Sequence, residues 1–162
     1  MGRPLGWAAR PPTEAPIPDR ISILSDVAEI VSRSHDLQET LANVTDLVAK
    51  RLDADVCSIY LIDTDPEILT LMSTIGLDPG AVSRVRLRVG EGLVGLVAKE
   101  REPIALTHAR DHSSFRYFPE TGEERYESLL AAPMIMQNAT IGVLVIQTVD
   151  PRIFEQSDVE LM

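Results

Sequence analysis

This chain is poor in several things at once. A single cysteine among 162 residues, Cys57, excludes an internal disulfide framework and a cysteine-based zinc cluster. Positive charge is short: 15 lysines and arginines stand against 25 acidic residues, for a net charge of −10. Nucleic-acid backbones and anionic membrane surfaces would both repel such a chain, so neither is expected as a partner. Long hydrophobic runs are missing too. The longest, Leu129 to Met136, is about eight residues, where a spanning helix needs about twenty. No basic-then-apolar leader opens the sequence, which therefore reads as cytoplasmic. Aromatic residues make up only 4% of the chain, which gives weight to any place where they gather.

What is present suits one globular domain, with 44% hydrophobic residues and enough length to bury a core. Residues 1–18 hold five prolines and no apolar period, and read as a flexible arm. Asp19 to Ser34 reads as a helix with apolar stripes on two sides, Ile21, Leu24, Ala28 and Val31 on one and Ile23, Val27 and Ile30 on the other. A helix of that kind wants two partners, the domain and a second chain. Asp36 to Leu52 is a second helix, with Asp36 and Glu39 spaced as a capping box and Leu37, Leu41, Val44, Val48 and Leu52 on one face. Val56 to Asp63 and Ile68 to Ile75 form a strand hairpin, followed by an arginine-striped strand in which Val85, Leu87 and Val89 alternate with Arg84, Arg86 and Arg88. Ile104 to Leu106 is a short strand, and Leu129 to Met136 with Ile141 to Val149 form a last hairpin. Ser157 and Glu160 are spaced to cap a final helix, inside which the chain ends. Hairpins with helices grouped to one side predict an α+β domain built on an antiparallel sheet of five to six strands, covering residues 19–162.

The glycines Gly90, Gly92 and Gly95 spell G-x-G-x-x-G, a dinucleotide-binding pattern. That pattern has meaning after a buried strand and before a long crossover helix. Here the preceding strand alternates arginine with apolar residues, so one face is wet, and Pro103 leaves room for about two helical turns. A structural corner is the expected role.

Other groupings carry little chemistry. His108 and His112 share an i, i+4 spacing, but the residues between them read as loop and nothing completes a ligand set. Asp63, Asp65 and Glu67 resemble the start of a calcium loop without its glycine or its downstream glutamate. Cys57 sits in a buried strand as a small hydrophobe. No nucleophile, base and orienting group come together, so neither a catalytic residue nor a metal site is assigned.

The connection from Thr107 to Ser128 differs from these. It gathers Phe115, Tyr117, Phe118 and Tyr126, four of the chain's seven Phe, Tyr and Trp residues, among Arg110, Arg116 and Arg125. Aromatic walls with guanidinium groups suit a small anionic or zwitterionic ligand, and equally would anchor the loop to the sheet. The expected site is a pocket lined by Ser58, Tyr60, Phe115, Tyr117 and Tyr126, with Arg116 gripping a ligand carboxylate. Strand alternation places Ser58 and Tyr60 on one face, Ile59 and Leu61 on the other.

The run R-V-G-E-G-L-V-G at Arg88 to Gly95, the segment P-E-T-G-E-E at Pro119 to Glu124, A-P-M-I at Ala132 to Ile135 and I-G-V-L-V-I-Q at Ile141 to Gln147 together resemble GAF domains. They are most similar to those preceding the nitrogen-branch phosphoenolpyruvate–protein phosphotransferases. The resemblance spans about residues 19–162 and implies a PAS-like antiparallel sheet with helices packed on one face and a small-molecule pocket on the other. It also implies a parent in which this domain regulates phosphoryl transfer from phosphoenolpyruvate to a histidine carrier protein, a reaction expected to use Mg. The catalytic domains of that parent are not in this sequence, so the chain itself is expected to hold no cofactor. Glutamine or 2-oxoglutarate is the implied ligand, as a signal of nitrogen status. GAF domains of nitrogen-fixation transcriptional activators are the alternative parent. A homodimer joined through the terminal helices is expected, and a dimerisation module with a filled pocket is the alternative role.

Overall fold

The computed structural model describes residues 36–162, with Ile23 and residues 25–27. The expected arm, and nearly all of the expected first helix with its double stripe, lie outside the described residues. Described helices and strands are α1 (Leu37–Arg51), β1 (Val56–Ile62), β2 (Ile68–Ile75), β3 (Arg86–Arg88), α2 (Gly92–Glu100), β4 (Ile104–Leu106), β5 (Ser128–Met136), β6 (Ala139–Thr148) and α3 (Gln156–Leu161). The six strands form one sheet in the order β3-β2-β1-β6-β5-β4. Every pairing between neighbours is antiparallel.

Side-chain alternation along β1 and β6 sorts the core into two layers. Ile59 faces Leu144 across the strands, and both pack with Leu41 and Val48 of α1, with Leu52 just past its end, and with Val159 and Leu161 of α3. Tyr60 faces Val143, and both pack with Leu93 and Val97 of α2. The expectation of helices grouped on one face therefore describes α1 and α3, while the short α2 lies on the opposite face beside the long loop. Two capping details also differ from expectation. The Asp36 carboxylate accepts from Gln38 N–H at 3.1 Å rather than from Glu39. The last helix is capped two residues earlier than predicted, by Asp158 accepting from Glu155 N–H at 2.9 Å. Leu37, placed by its spacing on the buried face of α1, is 57% exposed at the first position of the helix.

The glycine corner is structural. Gly90 and Gly92 hold φ of +89° and +66°, a region costly for other residues. Gly95 lets α2 fold against β3: a Cβ there would stand 2.4 Å from the Arg88 carbonyl oxygen. Arg88 is further tied by its own N–H, which donates to Glu91 Oε2 at 2.7 Å. The segment after Asp63 is the charged hairpin turn its sequence suggests, with Asp65 Oδ1 accepting from Glu67 N–H at 3.0 Å.

Candidate functional site

On the α2 side of the sheet, the floor beneath the long loop is unusually polar. Ser58 faces Val145, Tyr60 faces Val143 and Gln147 faces Val56, so all three polar side chains share one face of the central strands. Their exposures are 1%, 4% and 6%. Burying polar groups costs free energy unless partners are supplied, and partners are indeed close. The Ser58 hydroxyl meets Thr74 Oγ1 of β2 at 2.8 Å.

The loop between β4 and β5 forms the roof. It includes three single turns of 3₁₀ helix, Ala109–Asp111, Pro119–Thr121 and Glu123–Arg125. Phe115 and Phe118 pack down onto the core beside Tyr60 and α2. Thr121 is buried, its carbonyl accepting from Asp78 N–H at 3.1 Å and its hydroxyl donating to the Phe118 carbonyl at 2.7 Å. Gly122 then takes a φ of +66°, which reverses the chain. That reversal turns Glu123 back under the loop, where one carboxylate oxygen accepts from Phe118 N–H at 3.2 Å. The next residue, Glu124, is exposed and accepts from the Tyr117 hydroxyl at 2.9 Å.

Electrostatically, Glu123 is the unusual member. Burial pushes its carboxyl above the ordinary value of 4.5, against the opposing pull of the Phe118 N–H hydrogen bond and of Gln147; the neighbouring Glu124 charge adds to the rise. The Tyr60 hydroxyl is pushed up as well, by burial first and then by the Glu123 charge, so it stays protonated as a donor. Among the described residues no basic side chain pairs with Glu123. Two arginines of the same loop are engaged elsewhere, Arg116 with Glu91 and Arg125 with the Tyr126 hydroxyl at 2.8 Å, and Arg110 is exposed.

The sequence profile of the GAF domain matches residues 34–162. The chain belongs to the GAF domain family. A solved GAF domain from a phosphoenolpyruvate-protein phosphotransferase of Coxiella burnetii superposes with a TM-score of 0.81 at 34% identity, covering 88% of this chain and 85% of that one. The "Phosphoenolpyruvate-dependent phosphotransferase system" protein of Escherichia coli K12 is 38% identical over 114 residues, which is 70% of this chain and 15% of that protein. A "Nif-specific regulatory protein" of Azospirillum lipoferum is more distant, 29% identical over 129 residues, covering 76% of this chain and 20% of its own length. The chain thus spans a small part of the curated relatives it matches.

Within this GAF domain the sequence-predicted residues separate. Ser58 and Tyr60 lie on the floor, as strand alternation required, and Phe115 packs beside Tyr60. Arg116 does not line an enclosed space. Its side chain is 57% exposed, pairs with Glu91 at the glycine corner and lies over the Phe118 ring at 5.4 Å. Tyr117 is 42% exposed, turned outward toward Glu124. Tyr126 is buried but belongs to a separate cluster with Val56 and Leu77, its hydroxyl donating to the Gly76 carbonyl. The physical reason is common to all three: a loop of single 3₁₀ turns has no regular period, so chemical type alone could not assign direction. Sequence reasoning missed Thr121, Glu123 and Gln147. Gln147 left a signal, being the one strongly polar side chain in the run I-G-V-L-V-I-Q of a central strand.

The remaining candidates are quiet. Cys57 is fully buried and its thiol is pushed up to about 12 by desolvation, which leaves it protonated and unreactive. His108 is exposed beside Glu127 at 3.4 Å, and His112 Nδ1 accepts from Ser114 N–H at 3.1 Å. Among the described residues, no three His, Cys, Asp or Glu side chains are grouped to hold a metal, and no helix is long and apolar enough to cross a membrane.

Proposed function

We propose that this chain is a regulatory, ligand-sensing GAF domain of a phosphoenolpyruvate–protein phosphotransferase that answers to nitrogen status. The supporting observation is the polar group between sheet and loop, in which Ser58, Tyr60, Thr121 and Gln147 are buried and Glu123 is half-buried. A domain kept only for packing gains nothing from burying four polar side chains and half-burying a carboxylate beside them, since apolar residues of similar size would be more stable. In this reading a small molecule, with glutamine and 2-oxoglutarate as the first candidates, settles on the floor of Ser58 and Tyr60 beneath Phe115. The change in the loop and terminal helices then alters phosphoryl transfer by downstream domains to a histidine carrier protein. Those domains would supply the catalytic residues and any magnesium requirement; this chain supplies none. The names of the relatives support the phosphotransferase parent, and the lower identity of the nitrogen-fixation regulators makes them the second choice.

A dimerisation module with a filled interior is the other reading, favoured by Tyr60, Phe115 and Phe118 packing directly onto one another's cluster. Isothermal titration of the 162-residue chain with glutamine and with 2-oxoglutarate separates the two. Saturable heat with either supports sensing. Its absence, together with a stable dimer by analytical ultracentrifugation, supports the filled module.

A further inference from the structure

The loop between β4 and β5 is pinned at its ends and lightly held in its middle. At one end Ala109 is buried, and its N–H donates to the Glu127 carbonyl at 2.8 Å. At the other, Thr121 is buried with its carbonyl accepting from Asp78 N–H at 3.1 Å, and Tyr126 is tied to Gly76. Residues 110–120 lie between these anchors. Among the described residues, one polar contact alone joins residues 110–120 to the domain outside the loop, the ion pair of Arg116 with Glu91. The other polar contacts of this stretch stay inside the loop, such as the Tyr117 hydroxyl to Glu124 and Phe118 N–H to Glu123. Apolar attachment comes from Phe115 and Phe118, both only partly buried against the core.

We infer that residues 110–120 form a lid over the sheet, and that Arg116 and Glu91 are its latch, loosened by ionic strength. The two partners differ as a latch requires. Glu91 is the fixed half, 22% exposed: one carboxylate oxygen meets Arg116 while the other accepts from Arg88 N–H at 2.7 Å. That second bond keeps the carboxylate aimed at the loop when the arginine leaves. Arg116 is the moving half, 57% exposed, with its guanidinium 5.4 Å from the centre of the Phe118 ring. Both rest on the glycine corner, so near that a Cβ on Gly92 would stand 3.6 Å from Arg116 Cβ and 3.7 Å from Phe118 Cε2. An exposed pair of this kind shifts an equilibrium by about fivefold at most and is screened by salt. The latch is thus weak enough to open on its own and strong enough to set how often. A segment with few buried apolar contacts opens locally, without global unfolding. Here opening hinges at Ala109 and Thr121 and lifts Phe115 and Phe118 off the cluster around Tyr60. No ligand is needed for this, so the lid stands or falls apart from the sensing reading.

Trypsin tests the lid on the 162-residue chain, because its cleft takes the Arg116–Tyr117 bond only from an opened loop. Cleavage of a transiently opened segment follows the open population when closing is fast. Glu91→Gln leaves the loop sequence intact and keeps an oxygen for Arg88 N–H, while removing the charge. Cleavage at Arg116–Tyr117 should rise about two- to fivefold in this variant. The Arg125–Tyr126 bond, beside the pinned end, should be cut at the parent's rate. High salt should speed cleavage of the parent at Arg116 by a similar factor, each rate being divided by that of a free peptide of residues 110–120. The same salt should leave Glu91→Gln unchanged, since its latch is already gone. Melting temperatures of both chains check that the variant stays folded, and the salt response of the parent needs no variant. Equal cleavage in parent and Glu91→Gln would overturn the latch, as would a salt response that survives in the variant. Cleavage at Arg116 and Arg125 rising together would overturn the lid, because the whole loop would then be opening at once.

Discussion

The Tyr126 hydroxyl donates to the Gly76 carbonyl at 2.6 Å, closing a span of fifty residues. This bond ties the end of the roof loop to the end of β2, at a place where the chain cannot easily change. Gly76 holds φ of +90°, and a Cβ there would stand 2.1 Å from the Asp55 carbonyl oxygen. Replacing Tyr126 by phenylalanine keeps the ring against Val56 and Leu77 and removes a hydroxyl that donates to Gly76 and accepts from Arg125. Gly76 is exposed, so the expected cost is that of one net hydrogen bond, about 0.5–1.5 kcal/mol. Urea denaturation checks this; a midpoint unchanged from the parent chain would show that water replaces the hydroxyl freely.

Gly95 is expected to tolerate substitution poorly. Alanine there would press its methyl group against the Arg88 carbonyl oxygen at 2.4 Å and the Gly90 nitrogen at 3.0 Å, both backbone atoms. Neither can swing aside as a flexible side chain would, and Gly90 N–H already donates to the Gly95 carbonyl at 2.7 Å. A loss of about 1–3 kcal/mol follows from overpacking at such a contact. Thermal melts followed by circular dichroism test it. A variant that melts with the parent chain would mean the corner relaxes, and the glycine would need another explanation.

The contrast between these two positions and Glu123 shows what the sequence could disclose. Strand residues obey a period of two, so the faces of Ser58, Ile59, Tyr60 and Leu61 could be assigned without coordinates. The glycine corner was legible because a wet strand and a nearby proline contradict a nucleotide loop. Glu123 and Glu124 are adjacent acids in a segment that reads as solvated. Only the left-handed turn at Gly122 sends one inward and leaves the other outside. Arg116 and Tyr117 misled for the same reason: their chemistry suits a ligand, but the loop's geometry presents them to solvent.

Glu123 also makes a prediction about pH. Its folded-state pKa lies above the ordinary 4.5, through burial, so the folded chain holds that proton more tightly than the unfolded chain does. The stability it contributes is present below 4.5 and is lost as pH rises through the raised folded value. Asp63 and Glu124, both held low by hydrogen bonds, act in the opposite sense at lower pH. The total curve therefore mixes signs, and the difference between the parent chain and Glu123→Gln isolates the one group. That difference should favour the variant increasingly as pH climbs from 4.5 and then level off. Denaturation at a series of pH values measures it; a flat difference would mean that Glu123 titrates as an ordinary surface acid.

Arg116 supplies the last prediction, and here the structure reverses the expectation from composition. A buried carboxylate clamp would make Arg116→Ala abolish binding, at about 2–5 kcal/mol. The guanidinium instead pairs with Glu91 in an exposed position and rests over Phe118. Exposed ion pairs contribute about 0–1 kcal/mol because solvent screens the attraction and two side chains lose freedom. The stacking over Phe118 adds about 0.5–1 kcal/mol at such a site. Arg116→Ala should therefore cost no more than about 2 kcal/mol of stability by these sums. Its effect should shrink in high salt, and ligand affinity should stay within a few fold of the parent. Glu91→Ala should cost somewhat more than the ion pair alone, because Glu91 also accepts from Arg88 N–H at the glycine corner. Titration of both variants with glutamine and with 2-oxoglutarate checks the affinities. If Arg116→Ala loses binding, recognition runs through the outward arginine after all.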